Sequence, residues 1–203
     1  MDDYQPKAPR ERILAATLDL IEKNGPRQAT TRSIAAAAGV NVAAINYYYR
    51  SKEALLEAAL ASSWEHALAH LREFLGREPW DPRAVLTDIA LFLIEGGYRY
   101  PAITRATLFG VDGEPRPVVA ASFVTLARDI TARLAGSDAE ADATLLRVGA
   151  YLSGLIFPPL ASACAPWLDD QSVRKQYATM LSEELVEWVE RRAGQKGAPD
   201  PGK

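Results

Sequence analysis

The sequence predicts an all-α fold, with a small three-helix head built on a helix-turn-helix and a larger helical body behind it. Two observations carry this. Apolar residues recur at three- and four-residue spacing from Ile13 to Val189. Glycines and prolines punctuate that pattern at Gly25, Gly39, Gly76, Pro79, Pro101 and Gly110, where helices must stop or start. The expected divisions are 1–52 for the head, 53–193 for the body and 194–203 for a disordered tail, G-Q-K-G-A-P-D-P-G-K.

In the head, Ile13, Leu14, Thr17, Leu18 and Ile21 form the stripe of a first helix that ends at Gly25. Thr30 is a good N-cap for a second, because its hydroxyl can accept a backbone N–H of the next turn. Ile34, Ala35 and Ala38 then share one face. Gly39 follows where a left-handed residue usually closes a helix. Val40 fills the corner, and Asn41 can cap a third helix from Val42 to about Tyr48. A turn this short between two helices is the layout of a helix-turn-helix.

The third helix of such a head is the one that enters the major groove. Val42, Ala43, Asn46 and Tyr47 are expected on its exposed face, with Ile45 facing the core. Small residues allow close approach to base edges, and the Asn46 amide has the geometry to pair with adenine. Thr31, Tyr47, Tyr48 and Lys52 are candidate phosphate anchors, and Arg32 joins them as a candidate DNA contact. Ser51 is a candidate N-cap for the helix that Lys52 begins, so helix-end N–H groups would face the same phosphate. Plain helix packing with a tyrosine-rich rim is the competing reading of the same pattern.

The charge is asymmetric. Residues 5–52 hold eight Lys or Arg against three acids, a net of +5, so the remainder carries −8 of the chain's −3. A basic head on an acidic body suits nucleic-acid binding. The 203 residues suffice for a sizeable core, and no apolar run is long enough to span a bilayer. The N-terminus lacks the apolar stretch of a secretory signal. The single cysteine, Cys164, excludes an intrachain disulfide and suits a reducing cytoplasm.

The body reads as successive helices: about 52–75, 82–98, 101–109, 118–134, 138–164 and 172–193. Leu145, Val148, Leu152, Leu155 and Ile156 stripe the first of the two long last helices, and Pro158 and Pro159 are expected to kink or end it. Val173, Tyr177, Met180, Leu181, Leu185, Trp188 and Val189 stripe the second.

Thr30, Thr31, Ile34, Ala35, Ala38, Gly39, Val40, Tyr47, Ser51, Lys52, Glu53 and Leu55 together resemble the N-terminal domain of the TetR (tetracycline-repressor) family of transcription regulators. The likeness covers about residues 10–60. Three positions depart from it: Tyr48 stands where histidine is usual, Tyr49 where phenylalanine is usual, and Arg50 where glycine is frequent. The resemblance implies phosphate contacts at Thr31, Tyr47 and Lys52, and positions near bases for Val42, Ala43 and Asn46. It implies a ligand-binding and dimerisation role for the body, with a homodimer formed through the helices around 138–164 and 172–193, and a palindromic operator in double-stranded DNA. It also implies a small-molecule effector that releases the DNA. Trp64, Phe92, Tyr98, Arg105, Phe109, Phe123 and Tyr151 are candidate wall residues and polar handles for such a ligand, although aromatic stripes also serve as plain core.

His66 and His70 lie one helical turn apart, yet no acid stands between them as a zinc hydrolase motif requires. No nucleophile elbow, phosphate loop or dinucleotide fingerprint occurs. The expectation is a cytoplasmic, ligand-responsive repressor with no enzymatic activity, no cofactor and no metal. The alternative is a helical metabolite- or partner-binding protein that has lost specific DNA recognition.

Overall fold

The computed structural model describes residues 8–135, 141–160 and 169–195. Among them every regular element is a helix: α1 (Pro9–Asn24), α2 (Thr31–Ala38), α3 (Val42–Tyr48), α4 (Lys52–Leu75), α5 (Pro82–Arg99), α6 (Pro101–Phe109), α7 (Pro117–Ala135), α8 (Ala141–Leu160) and α9 (Gln171–Gln195). α9 runs two residues into the segment expected to lack structure. The remainder of that segment, Cys164 and Trp167 lie outside the described residues.

The chain packs as two units. One extends through Ala69 and takes in Tyr100–Val119; the other comprises His70–Arg99 and the described residues from Ala120 onward. The sequence reading divides the chain after residue 52, and packing divides it elsewhere for a physical reason. Leu55, Leu56 and Leu60 of α4 and Ala106 of α6 are buried in the same cluster as Ile13, Ile21, Ile34 and Ile45. Each fully buried Ile or Leu side chain contributes roughly 1.5–3 kcal/mol by leaving water. Cutting at residue 52 would strip Leu55, Leu56, Leu60 and Ala106 from this cluster.

Within the first unit α1 packs on α2 and α6, and α2 packs on α3. Ile13, Ala16, Thr17 and Ile21 form the buried face of α1. The buried Thr17 hydroxyl donates to the Ile13 carbonyl at 2.7 Å, so no polar atom is stranded there. Gly25 ends the helix at φ 77°, and its N–H reaches the Ile21 carbonyl.

In the second unit α5 packs against α8 and α9. It buries Val85, Leu86, Ile89, Ala90 and Ile94. α8 presents Val148, Tyr151, Leu152 and Leu155, and α9 presents Ala178, Ser182, Leu185 and Val186. Of the stripe read on α9, Leu185 is buried, Val173, Tyr177, Leu181, Trp188 and Val189 are half-buried, and Met180 is 46% exposed. Ala178 and Ser182 complete the buried face: small side chains let the α9 backbone approach its neighbours closely, and Ser182 satisfies its hydroxyl on the Ala178 carbonyl at 2.8 Å. α8 is helical through Pro158 and Pro159 to Leu160, where the sequence leads one to expect a kink or an end.

Candidate nucleic-acid interface

The helix-turn-helix forms because each end is capped locally. Thr30 Oγ1 accepts the Ser33 N–H at 3.1 Å, and Ser33 Oγ accepts the Thr30 N–H at 3.0 Å. This reciprocal pair satisfies two orphan donors at the start of α2. Ser33 fills the position where Glu or Gln is usual, which hides the capping box from the sequence pattern. Gly39 closes α2 in the left-handed region at φ 63°, φ being positive where a side chain would be strained. Asn41 Oδ1 then accepts the Ala44 N–H at 2.7 Å and starts α3.

Ile45 is buried, which fixes the rotation of α3 about its axis. Val42, Ala43 and Asn46 are all exposed around it, and Tyr47 is at 83% exposure. The Tyr47 and Tyr48 rings meet edge to face with centroids 5.1 Å apart, an arrangement that stiffens two otherwise free side chains. Arg32 is exposed on α2, and Thr31 is half-buried as its first residue. The eight sequence-predicted DNA residues therefore lie on the start of α2, on α3 and at the start of α4.

Ser51 Oγ accepts the Ala54 N–H at 3.1 Å and caps α4. The Glu53 carboxyl sits below its ordinary range, first through its own backbone N–H and the Ser51 hydroxyl and then through the charge of Lys52. Lys52 is half-buried, and its ammonium donates to the Arg27 carbonyl at 2.8 Å. An ammonium has three protons, so two remain for another acceptor.

The seven candidate ligand residues fall in both units. In the first, Trp64 is buried, Phe109 half-buried and Arg105 exposed. In the second, Phe92 lies beside His70 and Phe74, with ring centroids at 5.5 and 5.8 Å. Tyr98 bonds Asp169 and is covered by the Arg174 guanidinium 4.4 Å from its ring centre. Phe123 is half-buried. Tyr151 is buried, with its hydroxyl on the Leu86 carbonyl at 2.6 Å and against Ser182 at 3.1 Å. Burial pushes its phenol well above the ordinary value. Its polar end is thus engaged by the fold. His66 is exposed, while His70 Nδ1 stands 3.7 Å from Glu73. Among the described residues no group of three His, Cys, Asp or Glu could hold a metal ion. No helix among them is long and apolar enough to cross a membrane.

Residues 13–59 match the pattern of "Bacterial regulatory proteins, tetR family". The chain is 27% identical over 188 residues to the HTH-type transcriptional repressor KstR of Rhodococcus jostii (strain RHA1), covering 92% of this chain and 76% of that protein. A transcriptional regulator from Rhodococcus sp. Rha1 has the same fold, with a TM-score of 0.71 at 22% identity over 89% of this chain and 97% of the other. The regulator FadR from Bacillus subtilis, solved in complex with stearoyl-CoA, aligns with a TM-score of 0.67 at 14% identity over 87% and 97%. Capped α2 and α3, the exposed outer face of α3 and the matched stretch coincide, and residues 13–59 carry the tetR-type DNA-binding domain of bacterial transcription regulators.

Proposed function

We propose that the protein is a ligand-responsive repressor that binds a palindromic operator as a homodimer. The observation that carries this is the outer face of α3: Ala43 and Asn46 are exposed beside a tyrosine at 83% exposure, on a helix locked by Ile45. Val42, Ala43 and Asn46 read bases, and Thr31, Arg32, Tyr47, Tyr48 and Lys52 hold the backbone. The relative KstR is named a repressor, which supports that sense of regulation. Operator DNA lies with the chromosome, so the protein acts in the cytoplasm.

One recognition helix covers only a few base pairs, and two-fold doubling supplies the missing specificity. α8 and α9 support the pairing: Leu146 is 77% exposed, Met180 is exposed, and a shallow groove runs along Ser172, Gln176, Thr179 and Met180. The complex of FadR with stearoyl-CoA supports a small-molecule effector in this fold. Such an effector must prefer the DNA-incompetent state, or it shifts nothing. Trp64, Phe92, Tyr98, Arg105, Phe109, Phe123 and Tyr151 remain the proposed ligand contacts, with Tyr151 contributing its ring.

The test is selection of bound duplexes from a random pool, with the mass of the free and bound protein measured in solution. A two-fold symmetric site bound by two copies is expected. Recovery of no sequence above the starting pool refutes the reading.

A further inference from the structure

We propose that Arg27, on the turn between α1 and α2, is a phosphate-binding residue of the DNA interface, and that Lys52 is the strut that holds it there. The inference rests on the reading of the head as a DNA-binding domain.

The argument begins with the turn. Gly25 is in the left-handed region, and the Gln28 N–H returns to the Gly25 carbonyl at 3.2 Å. Pro26 and Arg27 fill the two central positions of this four-residue turn, and proline fixes the backbone at the first of them. The Lys52 ammonium, 25 residues further on, then takes the Arg27 carbonyl at 2.8 Å. That bond ties the turn to the first residue of α4. It brings a second full positive charge to the residue that already carries a guanidinium.

The Arg27 side chain is exposed, and none of the ion pairs among the described residues involves it or Lys52. The acid adjacent to Lys52, Glu53, is turned to its own backbone N–H and the Ser51 hydroxyl. Three exposed arginines of the second unit do find carboxylates: Arg77 pairs with Asp88, Arg83 with Glu190 and Arg133 with Glu78. The bond to the Arg27 carbonyl places two cationic residues on one tied turn with no carboxylate paired to either, a setting that favours an external anion. A phosphate suits the donors, because a guanidinium offers a planar fork and Lys52 retains two protons. The turn also leads within three residues into Thr30 and Thr31, where α2 begins. Arg27 thus adds a contact to the backbone grip of Thr31 and Lys52.

The experiment measures affinity of the full chain for the selected duplex and for random duplex across a salt series. Arg27→Ala should weaken both by roughly five- to tenfold at moderate salt and make the slope of log K against log salt shallower by about 1. Arg27→Lys should keep the slope. Lys52→Met should lose at least as much as Arg27→Ala, and Arg27→Ala should cost less when added to it. Thermal melting of each variant confirms that the head is folded. An Arg27→Ala protein that matches wild type in affinity and slope, while wild type binds, overturns the inference alone. Wild-type protein that retains neither duplex overturns the reading beneath it.

Discussion

The phenol of Tyr177 on α9 donates to the carbonyl of Gly154 on α8 at 3.3 Å. The partner is significant because Gly154 stands four residues before Pro158. A helical carbonyl normally receives the N–H of the fourth residue on, and proline has none. The tyrosine supplies from a neighbouring helix the donor that α8 lacks. This is one reason α8 continues through Pro158 instead of ending there. Tyr177→Phe should destabilise the protein by about 1 kcal/mol. In a Pro158→Ala background, where the N–H returns, the same substitution should cost much less. Thermal melts of the four proteins measure the coupling, and equal costs in both backgrounds would remove the proposed compensation.

Tyr49 poses the opposite problem. Its ring belongs to the core of the first unit, yet its hydroxyl is buried with no hydrogen-bond partner among the described residues. An unsatisfied buried hydroxyl costs about 1–3 kcal/mol, while the ring itself is needed for packing. Tyr49→Phe should therefore leave stability unchanged or raise it, and Tyr49→Ala should lower it by about 3–5 kcal/mol. Chemical denaturation distinguishes the two. A large loss in Tyr49→Phe would show that the hydroxyl has a partner in solution.

Local chemistry made the head legible in the sequence. Thr30, Gly39 and Asn41 act within three or four residues of themselves, so the ends of α2 and α3 could be read directly. The same holds for the exposure of Asn46 and Tyr47, which follows once Ile45 is placed inside. What depends on distant partners could not be read. Nothing near Tyr100–Val119 says that it packs with a head ending some fifty residues earlier. Nothing near Arg27 announces a lysine on its carbonyl. The burial of Ala178 and Ser182 on α9 could not be read either, because small side chains look unremarkable in a sequence although they permit close helix contact.

Arg174 is buried at the start of α9, with Nε 2.7 Å from Glu95, a further bond to the Asp169 carbonyl and the Tyr98 ring beneath it. Removing Glu95 takes from that guanidinium the carboxylate that its Nε and one terminal nitrogen bond. Losses of about 3–5 kcal/mol are usual when a buried pair is broken this way. Because the Glu95 side chain is 31% exposed, water offsets part of the loss, and Glu95→Ala should cost roughly 2–3 kcal/mol. Replacing both residues, as Glu95→Leu with Arg174→Met, should recover most of it. Denaturant titration of the single and double variants measures this; a double variant as unstable as Glu95→Ala would refute a charge-based account.

Arg83 and Glu190 join α5 to α9 through two parallel bonds of 3.0 and 2.8 Å. The Arg83 bond holds the Glu190 carboxyl below its ordinary value of 4.5. A folded-state pKa below the unfolded one adds stability above the unfolded value, and this is lost as pH falls through the folded value. Wild type should therefore melt higher than Glu190→Gln at neutral pH, and the gap should close as pH falls below about 4.5. Both groups are exposed, so the effect should be small and should shrink with salt. A gap that persists in acid would assign it to packing instead.

Glu22 of α1 accepts the N–H groups of Ala102 and Ile103 at 3.4 and 3.0 Å, and so caps α6 from another helix. Tyr100, the residue at the N-cap position of α6, makes no side-chain bond there. Carboxylates at helix starts are favoured by the orphan donors and by the helix dipole. Glu22→Ala should cost about 1–2 kcal/mol, and Glu22→Gln, which keeps an acceptor but loses the charge, should cost less. Hydrogen exchange locates the loss: the amides of Ala102 and Ile103 should exchange faster in Glu22→Ala, while those of α3 should change little. If α6 held its place through Ala106 and Ile103 packing alone, the amides would exchange alike in both variants and in wild type, and the cap would be incidental.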